Sequence, residues 1–204
     1  MANIINLLQK KDINKGSEVL ADAFKNDDFV SYILEHKKHK HQKMVRLFKC
    51  AIKFGLLYGK VYVTENLEGI CIIFPPNQYK RPIWRWIRSG AVGMIKELGL
   101  DFLKRENPTT DLRDKIRHNH MKNPHWYLYI IAVDPIHQKK GYASQLLNFI
   151  IKKIYESNLP IYLDTNTIDD VPIYEHFGFK VIEKFSLPTP PRTDIFNWCM
   201  VKYL

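Results

Sequence analysis

Beyond residue 125, apolar and polar positions fall into regular blocks. Residues 126–133 form an unbroken apolar run, WYLYIIAV, that stops at Asp134-Pro135. A run of that length bounded by a turn signal reads as a buried strand. Ala143, Leu146, Leu147, Ile150, Ile151 and Ile154 then recur at helical spacing, which predicts an amphipathic helix at about 141–157. A strand at 160–165 follows, then a short helix near 169–176 with Gly178 as its stop, and a strand at 179–184. The proline-rich turn 188–191 leads into a last strand at 195–203.

The first half of the chain is legible in pieces. Residues 3–8 suit a first strand. Val19, Leu20, Ala23 and Phe24 share one face of a helix predicted at 12–25, with Asp12 as its candidate N-cap. Val45, Phe48, Ile52 and Leu56 predict a second helix at 40–57, stopped by Gly59. Two short strands at 61–64 and 69–74 flank a turn at 66–68, and Pro75-Pro76 ends the second. Segment 75–122 is different. Helical pieces at 82–104 and 109–121 are broken by Gly90, Gly93, Gly99 and Pro108. Trp84, Trp86, Ile87 and Met94 stand among Arg81, Arg85, Arg88 and Lys96. That mixture suits a membrane-surface helix, a cover for a sheet or a pocket wall, and the glycines count against the first. Strands alternating with helices on a mixed sheet make the fold class α/β (α+β), in one domain spanning 1–204.

Composition narrows the function classes. With 204 residues the chain can bury a substantial core. No apolar run reaches membrane-span length, and the N-terminus lacks the order of a signal peptide. Cys50, Cys71 and Cys199 are odd in number and far apart, which suits reduced core thiols in a cytosolic protein. The net charge of +10 invites a polyanion or an anionic cofactor as partner. Its densest run, His36 to His41, stands where the second helix starts. No nucleic-acid module signature accompanies the charge, so nucleic-acid and membrane binding are both disfavoured.

The chemistry concentrates after the long apolar run. Gly141 and Ala143 let a ligand approach the backbone, and the amides of residues 139 to 143 open the helix that follows. Helix dipole and orphan N–H groups favour an anion there, and Lys139 and Lys140 add positive potential. The nucleotide-triphosphate loop and the G-x-G-x-x-G fingerprint are both absent. Taken alone, the turn reads equally as a tight start to a helix and as a phosphate cradle.

Read as a whole, Val133-Asp134-Pro135-Ile136-His137-Gln138-Lys139-Lys140-Gly141-Tyr142-Ala143 resembles the acyl-CoA pyrophosphate loop of the GNAT superfamily of N-acetyltransferases. Ile161-Tyr162-Leu163-Asp164, Thr165-Asn166-Thr167 and Tyr174-Glu175-His176-Phe177-Gly178-Phe179 resemble the second half of that family's pattern. The likeness is firm over about residues 124–184. A looser one, at Leu20-Ala21-Asp22-Ala23-Phe24, Pro191-Arg192-Thr193 and Trp198-Cys199-Met200, is similar to the puromycin N-acetyltransferase branch.

The resemblance implies a GNAT-like mixed sheet flanked by helices, and acetyl-CoA as cosubstrate. It implies that backbone amides of Gln138, Lys139, Lys140, Gly141, Tyr142 and Ala143 hold the pyrophosphate. Backbone groups of Ile131 and Val133 would pair with the pantetheine arm as an added strand does. The Val133 N–H would stabilise the oxyanion, and Tyr174 would protonate the departing thiolate. Asp164 stands where the branch usually has Glu, so its reach as a base is shorter. Asp170 stands where Asn is usual, near the pantetheine with Asn166, and is also placed to cap the short helix. Lys139 replaces a common Gly.

Glu65, His125, His137 and Glu175 are further candidate acids and bases, each with solvent exposure as the plainer reading. No spacing suggests a metal site. No nucleophile–base pair is legible, which favours direct transfer in a ternary complex. The expected acceptor is a small-molecule amine, in a pocket shaped by segment 75–122, where Tyr79, Trp84, Trp86 and the arginines suit flat apolar or acidic parts. A CoA-binding regulator without turnover, a basic binding module and acetylation of a protein or peptide are the alternatives. The expected assembly is a monomer or homodimer.

Overall fold

A computed structural model describes residues 4–34 and 39–204. In chain order the elements are β1 (Ile5–Leu7), α1 (Ile13–Ala23), α2 (Asp28–Leu34), α3 (Lys40–Tyr58), β2 (Lys60–Thr64), β3 (Gly69–Phe74), α4 (Ile83–Arg88), α5 (Ala91–Leu98), α6 (Leu100–His120), β4 (Trp126–Val133), α7 (Tyr142–Ile154), β5 (Ile161–Thr165), α8 (Val171–His176), β6 (Lys180–Ser186) and β7 (Phe196–Lys202). The seven strands form one mixed sheet in the order β1-β2-β3-β4-β5-β7-β6. Every neighbouring pair is antiparallel except β4–β5.

Both faces of the sheet are covered, and β3 shows why its sequence is apolar throughout. Ile70, Ile72 and Phe74 enter a core built with α1, α3, α5 and α6. Cys71 and Ile73 enter a second core on the opposite face, with Leu146, Leu147 and Ile150 of α7, Tyr174 of α8 and Phe179 just after it. Strand residues alternate between faces, so a strand covered on both sides has no polar side. Each fully buried aliphatic of α7 contributes roughly 1.5–3 kcal/mol of transfer free energy. All three cysteines are buried free thiols.

The strands and helices read after residue 125 stand within one or two residues of their expected bounds, except that α7 ends at Ile154, three residues short of 157, and a 3₁₀ turn covers Tyr155–Ser157. The first half departs more. Helix α2 is unexpected; it is too short for a periodic signal, and Asp27 caps it by accepting the Val30 N–H at 2.7 Å. Asp12 occupies the N-cap position of α1 but makes no capping hydrogen bond through its side chain. Of the basic run at 36–41, residues 36–38 lie outside the described residues, as does Asn3 of the expected first strand.

Gly90 and Gly99 do separate helices, but Gly93 and Pro108 do not. A Cβ at Gly93 would lie 2.5 Å from the Arg46 guanidinium, so this glycine serves close packing of α5 on α3. Pro108 sits inside α6. An interior proline costs a helix about 3 kcal/mol. Here the segment is held on both sides of it. Phe102, Thr109 and Ile116 are buried, and Arg81 reaches Glu106 at 3.8 Å and Asp114 at 3.3 Å. Among the described residues no helix is long and apolar enough to cross a membrane. Trp86 of α4 is stacked on Phe54 at 4.4 Å between centroids, which ties the helix to the core.

Candidate active site

The site begins where two parallel strands part. β4 and β5 are paired only over Trp126–Leu128 and Ile161–Leu163. On its other edge β4 stays paired with β3 as far as Gly69↔Val133. Ile72 faces Ile130 while Ile73 faces Leu128, so Tyr129 is an extra residue, a β-bulge that bends the strand at the point of parting. The Asp134 N–H donates to the Glu68 carbonyl at 2.8 Å, which fixes the phase of the ladder. Hydrogen-bonded and non-bonded pairs alternate in an antiparallel ladder. Val133 and Ile131 therefore turn their N–H and C=O groups away from β3, toward the gap. The Val133 carbonyl accepts there from the Gln138 side chain at 3.3 Å.

The chain then turns into α7. Asp134 accepts the Ile136 N–H at 3.0 Å and so caps a single 3₁₀ turn, Pro135–His137. Lys139 has φ +61° and Gly141 φ +83°, so left-handed residues alternate with others before the helix. An alternation of this kind is the backbone pattern that can turn successive N–H groups toward one anion at a helix N-terminus. Gly141 adopts its conformation freely, whereas Lys139 holds its own at a cost of about 1–2 kcal/mol. Lys139 and Lys140 are exposed.

Beneath the turn, the Tyr142 hydroxyl donates to Glu68 at 3.4 Å. Glu68 is buried, which pushes its carboxyl up. Hydrogen bonds from Thr64 Oγ1 (2.6 Å) and from the Asn66 backbone and side chain (3.1 Å each) outweigh that and hold it down at about 2. Glu68 ties the β2–β3 turn to the first turn of α7.

Tyr174, Asp164, Asn166, Asp170 and Ile131 are brought together on a cavity of about 600 Å³. The cavity lies on the face covered by α2, α5 and α6 and runs up to the parting of β4 and β5. Val133 and the turn 138–143 stand at the far end of the gap and do not line it. Tyr174 is buried beside Phe179, and burial together with Asp170 pushes its phenol well above the ordinary range. Asp170 occupies the N-cap position of α8, yet its side chain does not cap the helix; it accepts from Thr165 Oγ1 at 3.2 Å, and burial raises its carboxyl.

Asp164 accepts the Tyr127 hydroxyl at 2.9 Å and pairs with Arg113 Nε at 3.5 Å. Arg113 also donates to Asn197 Oδ1 at 3.0 Å and to the Asn166 carboxamide oxygen, and its guanidinium covers Phe29 at 4.3 Å. Asn166 in turn donates to Asp27 Oδ2 at 3.3 Å, and burial raises Asp27. One arginine thus holds together a wall drawn from α2, α6, β5 and β7.

Sequence reading missed Arg113 and Asp27. The available signal for Asp27 was its place as a helix cap, directly before an apolar stretch; Arg113 had none, as its partners lie 51 to 84 residues downstream in Asp164, Asn166 and Asn197. The other candidate bases fall away from the cavity. Glu65 and Glu175 are exposed and do not line it. His125, lowered by burial, binds the Asn123 carbonyl at 2.9 Å outside it, and His137 lies edge-on to Tyr142. Arg85 and Arg88 do not line it either. Arg85 covers the Tyr58 ring, and Arg81, which does line the cavity, is paired with acids, so the arginines expected to meet an acidic acceptor already have partners. Among the described residues no group of His, Cys, Asp and Glu could hold a metal.

Residues 109–181 match the acetyltransferase (GNAT) domain family. An uncharacterized N-acetyltransferase of Schizosaccharomyces pombe is 28% identical over 182 residues, covering 84% of this chain and 72% of that protein. Among solved structures, a histone acetyltransferase HPA2 and related acetyltransferase from Corynebacterium glutamicum superposes with a TM-score of 0.70 at 22% identity, over 100% of this chain and 97% of the other. A Drosophila melanogaster polyamine N-acetyltransferase does so with a TM-score of 0.66 at 9% identity, over 98% and 99%. A mosquito arylalkylamine N-acetyltransferase-like protein does so with 0.58 at 14%, over 98% and 99%. The fold is that of the GNAT acetyltransferases, residues 109–181 resemble their domain, and N-acetyltransferase is the enzyme class that these likenesses support.

Proposed function

We propose that the protein transfers the acetyl group of acetyl-CoA to an amine by direct attack in a ternary complex. The observation that carries this reading is the parting of β4 from β5. It leaves backbone groups of Ile131 and Val133 that no strand pairs between the turn at 138–143 on one side and a cavity lined by Tyr174 on the other.

In this reading the amides of Gln138 to Ala143 hold the pyrophosphate, and Ile131 and Val133 bind the pantetheine arm as a strand would. The amine nitrogen bonds to the thioester carbon while the Val133 N–H stabilises the oxyanion. The carbon–sulfur bond then breaks, and Tyr174, which stays protonated through neutral pH, gives its proton to the sulfur. Asp164 already accepts from Tyr127 and Arg113, so it orients the amine rather than deprotonating it. An acceptor bound as an ammonium gives one proton to the acids of the cavity wall, where burial raises Asp27 and Asp170, before its nitrogen attacks. The second proton leaves to the same acids as the adduct collapses.

Segment 75–122 shapes the acceptor side, since α4, α5 and α6 all contribute to the cavity. The names of the Drosophila and mosquito neighbours agree with an amine acceptor. The motif pattern at 20–24 and 191–200 supports a place near the puromycin N-acetyltransferase branch, and the three buried thiols suit the cytosol. The test is thiol release from acetyl-CoA against a panel of small amines and peptides. Amine-dependent release supports the reading; neither release nor a thermal shift with acetyl-CoA would overturn it.

A further inference from the structure

The cavity has two unlike halves. At the parting of β4 and β5, three carboxylates of its wall, Asp27, Asp164 and Asp170, stand against one guanidinium, Arg113. Elsewhere Phe29, Phe48, Met94 and Phe102 line it with apolar side chains. Glu106 and Asp114, also in the wall, are matched by Arg81 and Arg117, so that part of the wall leaves no uncompensated acid.

The rim continues the apolar half. Ile83 and Ile87 of α4 and Val92 of α5 line the cavity, yet they are 77%, 52% and 64% exposed. Covering aliphatic side chains gathered at a cavity mouth with an apolar group removes them from water and is favourable. A ligand with several ammonium groups would find only one acidic end. A small polar amine would leave the apolar chamber and its rim uncovered.

Resting on the acetyl-transfer reading, we propose that the acceptor is an amphiphilic primary amine with one ammonium and an aryl or alkyl body. Its nitrogen is seated among Asp27, Asp164 and Asp170, next to Tyr174. Its body fills the chamber between Phe29 and Phe102 and reaches Ile87 and Val92 at the rim.

The experiment measures kcat/KM for n-butylamine, n-hexylamine, n-octylamine, phenethylamine and spermidine with saturating acetyl-CoA. The contribution of a buried methylene corresponds to about three- to fourfold per carbon. The expected result is therefore a rise of about 100-fold from butylamine to octylamine, with phenethylamine well above butylamine and spermidine at the bottom. Ile87→Glu and Val92→Glu lie at exposed positions. They are expected to keep the melting temperature and the thermal shift with acetyl-CoA, while cutting the butyl-to-octyl rise to under about tenfold. A flat or falling series, or a preference for spermidine, overturns this inference and leaves acetyl transfer standing. An unchanged rise in both variants overturns the seat at the rim. Absence of turnover with every amine, together with no shift from acetyl-CoA, overturns both readings.

Discussion

The two sides of the gap between β4 and β5 are built in different ways. The turn side, residues 126 to 146, presents mainly backbone: the outward groups of Ile131 and Val133, and converging amides around Lys139 and Gly141. The cavity side presents side chains brought from α2, α4, α5, α6, β5 and α8. A backbone site needs one short, contiguous stretch with small residues in the right places. A side-chain site is assembled by tertiary structure. The first kind is suited to a constant ligand part such as a pyrophosphate, the second to a part that varies between relatives.

The contrast can be broken from either side, and the largest effect is expected at their junction. Tyr174→Phe removes the proposed acid and nothing from the backbone site. It should lower kcat by about 10²–10³-fold and leave the KM for acetyl-CoA nearly unchanged. Steady-state kinetics at saturating amine checks this, and an undiminished kcat would remove Tyr174 from the chemistry.

Arg113→Ala attacks the side-chain wall. It leaves Asp164, Asn166 and Asn197 without their shared donor. Removing one member of a buried pair costs about 3–5 kcal/mol. Arg113 keeps 15% side-chain exposure, so a loss of about 2–3 kcal/mol is expected in urea unfolding. The acceptor kcat/KM should fall by about 10–100-fold. Arg113→Lys should restore less than half of the stability, because an ammonium cannot span the same acceptors.

The pattern of what could be read beforehand follows the same division. Strands β4 to β7 and helix α7 were legible because their apolar spacing is strong and unbroken. The turn was legible as a strand-to-helix turn from Gly141 and Ala143, and its reading as a pyrophosphate cradle came from the resemblance over 133–143. Segment 75–122 was legible only as helical and aromatic. Pro108 reads locally as a break, and only the packing of Phe102, Thr109 and Ile116 overrides it. Asp27 and Arg113 could not be joined to Asp164 from spacing, since they meet only once α2, α6 and β5 are assembled. Asp170 shows the limit of a local rule. It stands at an N-cap position, as its sequence context suggests, but its carboxylate turns to Thr165.

A smaller effect tests the support beneath the turn. Glu68 titrates near 2 in the folded protein against an ordinary 4.5. A depressed carboxyl contributes stability that is fully present above pH 4.5 and is lost as the pH falls toward 2. Discounted for solvent screening, about 1–2 kcal/mol should disappear over that window. Urea midpoints at pH 3 and pH 6 should show it, and Glu68→Gln should flatten the difference. An equal slope in the variant would mean that other carboxylates carry the acid sensitivity.

The most direct test of the central claim is calorimetric titration of acetyl-CoA into the wild-type protein and into Gly141→Val. The wild type should bind saturably in roughly the micromolar range. Gly141 holds φ +83°, a conformation that costs a residue with a Cβ about 1–2 kcal/mol and more when it is β-branched. The variant should therefore bind at least about tenfold more weakly while keeping its far-ultraviolet circular dichroism. No binding by the wild type, or equal binding by the two proteins, would contradict the assignment of this turn as the pyrophosphate cradle.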